Sequence, residues 1–119
     1  MTELIGDVTF RALSQAMNGL ALRQRTIADN LANVETPGFL AGKVDFETAL
    51  NQALGGGENP LAGGVAAARS LEPTRLNGNN VNLDEETLAG MQTLMTTQLA
   101  SQALTSKFQR LRTAISGQA

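Results

Sequence analysis

Cysteine, histidine, tryptophan and tyrosine are all missing from this chain of 119 residues, and phenylalanine occurs only four times. Without cysteine there can be no disulfide and no thiolate metal site. Without histidine the chain lacks the commonest general base and the commonest metal ligand. Carboxylates alone are left for acid–base work, so an enzyme is not expected, and no cofactor is expected either. The net charge is −2 and no basic run occurs, which argues against a nucleic-acid footprint. The opening MTELIGDVTF has acids at Glu3 and Asp7 and no basic segment followed by an apolar run, so it predicts no cleaved signal peptide. No apolar stretch approaches the length needed to span a bilayer. With aromatics at 3%, the 42% of hydrophobic residues are mainly Leu, Ala, Val, Ile and Met, a composition suited to helix-on-helix packing.

What is present is periodicity. Phe10, Leu13, Met17, Leu20, Gln24, Ile27, Leu31 and Val34 alternate in steps of three and four, a heptad seam with one polar member. The pattern predicts a helix over residues 7–34 with Asp7 as its N-cap. Thr36-Pro37-Gly38 then stops it. Proline disfavours helical backbone at the residue before it, and Pro-Gly fits the central positions of a type II turn, where glycine supplies the positive φ. Asn30 and Asn33 lie on the last turns before this corner. In the simplest reading they are solvated helix-end residues; in the functional one their amides bond the backbone carbonyls of the corner and fix the exit angle.

Leu40, Val44 and Phe46 share one parity, which predicts a short extended segment. Asp45 is placed to cap a short central helix over about residues 45–54 that ends at Gly55. Residues 55–70 hold five glycines and read as a flexible linker. No Lys-Ser/Thr pair follows them, so a phosphate loop is rejected. The acids at Asp84, Glu85 and Glu86 lack the alternation of a calcium loop. They are explained by Asn82 as N-cap, Glu85 as the far half of a capping box, and the helix dipole.

The second long helix is predicted over residues 83–115. Leu88, Met91, Met95 and Leu99 mark one face, and Leu104, Phe108, Leu111 and Ile115 mark another, offset from the first. The expected fold is all-α: an elongated antiparallel coiled-coil hairpin of N- and C-terminal helices, with an irregular, Gly-rich middle and a short central helix. The division is 1–36, 37–82 and 83–119. A paired hairpin covers one stripe of the second helix, so the other stripe calls for neighbouring subunits. A self-contained helical hairpin, with Met17, Met91 and Met95 as core filler, is the competing reading.

The stretch ADNLANVETPGF, residues 28–39, resembles the N-terminal signature of the flagellar axial proteins, the rod and hook family, A-x-N-x-A-N-x-x-T-P-G-[FY]. NGNNVNLDEE and the terminal ALTSKF resemble the second signature of its proximal-rod members, with Asn77 and Asn82 standing where aspartate is frequent. The resemblance covers roughly residues 7–54 and 74–115. It carries an assembly role over to Asn30, Asn33, Thr36, Pro37, Gly38 and Phe39, and to Asn79, Asn80, Val81, Leu83, Asp84 and Glu86. It implies a structural subunit of the bacterial flagellar basal body, polymerising helically around the export channel and placed in the periplasmic part of the rod. The implied route is the flagellar type III export apparatus, with no cleaved signal. Implied partners are other rod proteins, the ring-to-rod adaptor and membrane ring protein, and the rod-capping factor; self-association is compatible. A cytoplasmic coiled-coil export chaperone or adaptor is the alternative, but it has no use for the Asn-Thr-Pro-Gly corner.

Overall fold

The computed structural model describes residues 2–48, 51 and 67–117. Its elements are α1 (Thr2–Ala32), β1 (Gly42–Val44), β2 (Ala67–Arg69) and α2 (Leu83–Ser116). The two long helices dominate, as expected. The molecule measures 64 × 27 × 14 Å with a radius of gyration of 18.0 Å, against about 13.5 Å for a compact domain of this length.

Local chemistry sets most of the boundaries. At the start of α2, the Asn82 side chain accepts hydrogen bonds from the backbone N–H groups of Asp84 and Glu85. Glu85 thus contributes its N–H and not the carboxylate that the expected capping box would use. Gly117, left-handed at φ 72°, closes the far end. For α1 the expectation needs correction: the helix already runs from Thr2, so Asp7 lies inside it and does not cap it. The apolar seam begins at Phe10 and gave no sign of the preceding turns.

The fold is not strictly all-α. β1 and β2 pair antiparallel, with Lys43 opposite Ala68, and the Ser70 N–H donates to the Ala41 carbonyl at 2.8 Å. The extended segment expected around Val44 is β1. Its partner was hidden in the stretch assigned to a linker, whose residues 67–69 form β2 and whose Ser70 is buried. Residues 55–66 of that linker lie outside the described residues. Of the expected central helix, residues 46–48 and 51 are helical, and the Asp45 carboxylate accepts from the Thr48 N–H at 3.2 Å, as a cap should.

The packing between α1 and α2 is inverted relative to a simple hairpin. Leu20 and Ile27 of the α1 seam are buried, while Leu13, Met17 and Leu31 are half-buried. Leu20 joins Val44 and Phe46 in a small core, flanked by Ala16, Leu22 and Ala100. Past Glu86 in its first turn, what α2 buries is small: Thr93 is buried, and Gly90 faces Ile27, where an added Cβ would stand in ordinary contact with the methyl at 3.7 Å. The large apolar residues face outward. Leu88, Met91, Met95 and Leu99 are each more than half exposed, and so are Leu111 and Ile115. The hairpin was expected to cover one stripe of α2; it covers neither. Leu104 is half-buried, and Phe108, half exposed, meets Phe10 edge-to-face with ring centroids 5.2 Å apart. Among the described residues no helix is long and apolar enough to cross a membrane.

Candidate functional site

The two sequence signatures lie far apart in the chain but form one joint where α1 ends and α2 begins. Its geometry starts with two glycine turns. Phe39 donates its N–H to the Thr36 carbonyl across Pro37-Gly38, with Gly38 at φ 74°, the turn that Pro-Gly dictates. Gly78, at φ 81°, donates to the Arg75 carbonyl in a second turn. The turns lie back to back: the Gly38 N–H donates to the Asn77 carbonyl at 2.8 Å, and a Cβ on Gly78 would stand 3.2 Å from the Gly38 Cα.

Buried asparagines bind this backbone together. Asn79 is 0% exposed. Its amide donates to the carbonyls of Asn33 and Thr36, both at 2.8 Å, and its oxygen accepts from the Val81 N–H. Those two carbonyls belong to the end of α1 and to the corner, where Asn79 adds a second donor to the turn bonds from the Thr36 and Phe39 N–H groups. Asn80 accepts from the Ala41 N–H at 2.7 Å and donates to the carbonyls of Ser70 and Glu72. Asn30 works one layer deeper. Its amide grips Gly42 of β1 at both backbone groups, donating to the carbonyl at 2.9 Å and accepting from the N–H at 2.8 Å. It thus takes the place of a third strand on the edge of β1. Gly42 must be a glycine, because a Cβ there would sit 2.7 Å from the Thr26 methyl.

This corrects the role expected of the α1 amides. Asn30 holds the strand and not the corner. Asn33 bonds its own helix at Asp29 and accepts from the Thr36 hydroxyl at 3.1 Å. The side-chain amide that reaches the corner carbonyls is that of Asn79, 46 and 43 positions away. Val81 is buried, whereas Thr36, Pro37, Gly38, Leu83 and Asp84 are exposed on the surface of the joint, and Phe39 is half-buried. Glu86 is buried, with the Lys43 ammonium 3.7 Å away.

Several supporting residues were not legible in the sequence. Arg23 grips the Glu47 carboxylate with two nitrogens at 2.6 and 2.5 Å, bonds the Val44 carbonyl, and lies over the Phe46 ring at 4.7 Å. It clamps the chain after β1 onto α1. The guanidinium holds the Glu47 carboxyl below its usual range. Arg75 donates to the Val34 carbonyl at 2.6 Å, and Arg69 donates to the Leu40 carbonyl while covering the Phe39 ring. Each is one arginine among polar residues, and no local pattern gives its distant partner. Beside Arg23, a groove of about 550 Å³ runs between α1, β1 and α2, lined by Thr26, Lys43, Glu47, Glu86, Gln92 and Thr93. It holds no group of His/Cys/Asp/Glu able to take a metal, nor do the other described residues. The arrangement fixes backbone angles; it offers no nucleophile–base pair.

A joint made of a Pro-Gly corner, bonded asparagines and two terminal helices with outward apolar faces defines an assembly subunit. The comparisons place it more closely. The family described as Flagella basal body rod protein matches residues 10–39. Flagellar basal body rod protein FlgB of Borreliella burgdorferi is 34% identical over 97 residues, covering 64% of this chain and 72% of that protein. The protein of the same name from Escherichia coli is 30% identical over 134 residues, covering 94% and 88%, and that from Bacillus subtilis is 26% identical over 121 residues, covering 92% and 94%. The chain belongs to the flagellar basal body rod protein family. It is a structural subunit and not an enzyme.

Proposed function

We propose that this chain builds the proximal part of the rod, polymerising helically around the export channel and linking the membrane ring to the rod above. The observation that carries this reading is the inverted packing of α2. Leu99 is 69% exposed and stands in line with Leu88, Met91 and Met95. Burying such side chains fully is worth about 1.5–3 kcal/mol each, and the monomer forgoes most of that. The chain exposes 8336 Å² for a mass of 12.5 kDa, where a compact monomer exposes about 6,200 Å². Neighbouring subunits are the natural cover, and a helical array needs different patches on each subunit.

In this reading the segments 1–36 and 83–119 line the tube as a coiled coil, and the segment 37–82 sets the angle between them. The residues of both signatures then serve assembly geometry: Asn30, Asn79 and Asn80 from inside, Thr36, Pro37, Leu83 and Asp84 from the surface. The partners are other rod proteins, the ring-to-rod adaptor and the rod-capping factor. Delivery is by the flagellar export apparatus to the periplasm. A cytoplasmic chaperone would show the same exposed stripe, but the comparisons do not favour it.

Purified basal bodies from cells carrying Leu99→Asp provide the test. The variant subunit should be made and exported yet absent from the rod, and the cells should not swim, because the charge would enter a packed seam. Normal incorporation of Leu99→Asp would remove the α2 stripe from the assembly surface.

A further inference from the structure

Asn77-Gly78 is a chemically labile pair inside the joint. An asparagine followed by glycine is open to attack on its own side chain: the glycine nitrogen adds to the asparagine Cγ, and with no Cβ on glycine nothing screens that approach. The joint nevertheless requires this glycine. Gly78 stands at φ 81°, and a Cβ there would lie 3.2 Å from the Gly38 Cα. Asn77 is exposed, so water reaches its amide.

In the closed joint both reacting groups are tied. The Gly78 N–H, whose nitrogen would attack, donates to the Arg75 carbonyl at 2.9 Å. The Asn77 Oδ1, on the carbon that would be attacked, accepts from the Asn79 N–H at 3.1 Å, the local bond by which asparagine shapes turns. The Asn77 carbonyl accepts from the Gly38 N–H at 2.8 Å. These bonds fix the torsions on both sides of Asn77, and ring closure needs those torsions to turn. A second Asn-Gly pair, Asn18-Gly19, lies within α1, where the Gly19 N–H belongs to the helix ladder. One pair is thus held by the joint and the other by a helix.

We propose that Asn77-Gly78 is a self-modification site gated by the joint. While the joint is open, the Gly78 nitrogen bonds to the Asn77 Cγ and the bond from Cγ to the side-chain nitrogen breaks. That nitrogen leaves as ammonia, taking up the proton that Gly78 gives up. Water then opens the cyclic imide. Its attack at Cγ gives aspartate at 77; its attack at the backbone carbonyl carbon gives isoaspartate, with the chain running through Cγ. Aspartate keeps the oxygen that the Asn79 N–H needs. Isoaspartate adds a methylene to the backbone and turns the Asn77 carbonyl into a free carboxylate, so the two glycine turns no longer lie back to back. A chain that stays open therefore ages into a form that cannot close.

Peptide mapping of the purified full chain by mass spectrometry tests it, following the exchange of amide for carboxyl, with isoaspartate scored by isoaspartyl methyltransferase. In urea, Asn77 and Asn18 should convert at similar rates; without urea both should be slower by about tenfold or more. Loosening the joint should release Asn77 alone. Asn79→Ala removes the central amide, and Arg75→Ala, a milder change at an exposed residue, removes the bond to the Val34 carbonyl. Each should speed conversion at Asn77 by about threefold or more while Asn18 stays slow, with circular dichroism confirming helix content. Chains aged in urea and refolded should unfold at lower denaturant when they carry isoaspartate at 77, and Asn77→Asp should unfold like the wild type. Equal rates at Asn77 with and without urea would overturn the gate. So would acceleration that is absent from both variants or shared by Asn18 in Arg75→Ala, or an isoaspartate form as stable as the aspartate one. The rod reading is scored separately, by incorporation into basal bodies, and stands or falls apart from these rates.

Discussion

The corner and the shaft of this molecule use opposite chemistry. At the corner, polar side chains are inside: Asn30 and Asn79 are as buried as Leu20, the most buried leucine of the core. Along α2, most large apolar side chains are outside, and beyond Glu86 the residue buried is Thr93, with Gly90 and Ala100 half-buried beside it. A buried amide has only geometrically demanding partners, so the corner has one arrangement. An exposed apolar stripe has many admissible partners, and its arrangement is left to whatever packs on it. Rigidity is thus concentrated where the two terminal helices meet, and stickiness is spread along their length.

Asn79→Ala should break this contrast most severely. It removes the acceptor of the buried Val81 N–H and one of the two donors to each of the Asn33 and Thr36 carbonyls, at about 1–3 kcal/mol for the group left unsatisfied, and a chemical denaturation curve should shift accordingly. Leu99→Asp, the matching change on the shaft, should move that curve by no more than about 0.5 kcal/mol while abolishing incorporation into the rod. Gly42→Ala comes next. The new methyl meets Thr26 at 2.7 Å, and overpacking of this kind costs about 1–3 kcal/mol, seen as lost protection of the β1 amides in hydrogen exchange. Replacing Pro37-Gly38 by Ala-Ala puts a Cβ at φ 74°, a strain of about 1–2 kcal/mol. It should leave export intact and stop swimming, because the corner would no longer hold one angle.

The smallest effect is electrostatic. Glu47 titrates below its ordinary value of 4.5 in the folded chain because Arg23 bonds its charged form. The folded state therefore binds this proton less readily than the unfolded state does. The stability it adds is complete above about pH 4.5 and is lost as pH falls through the lower folded value. The carboxylate is 54% exposed, so the pair is screened and worth about 0.2–1 kcal/mol. Glu47→Gln should erase that small acid dependence and leave stability at neutral pH nearly unchanged.

The long helices, the stop at Thr36-Pro37-Gly38 and the cap at Asn82 were legible in the sequence, because each depends on residues within a few positions of one another. The resemblance to the rod and hook family also marked Asn30, Asn33, Asn79 and Asn80 as a set. What each one holds was not legible. Asn79 bonds residues 43 and 46 positions away, and an amide gives no sign of which carbonyl it will meet. The β2 strand was missed for the same reason: Ala-Ala-Arg has no strand character of its own, and pairing with β1 supplies it.

Periodicity alone determined that this chain would make two long amphipathic helices separated by a fixed corner, since backbone geometry and local hydrogen bonding act over one or two turns. Only the tertiary structure decided which face of α2 turns inward. That choice is made by contacts between distant segments, such as Gly90 against Ile27 and the burial of Thr93, which no spacing along the chain encodes.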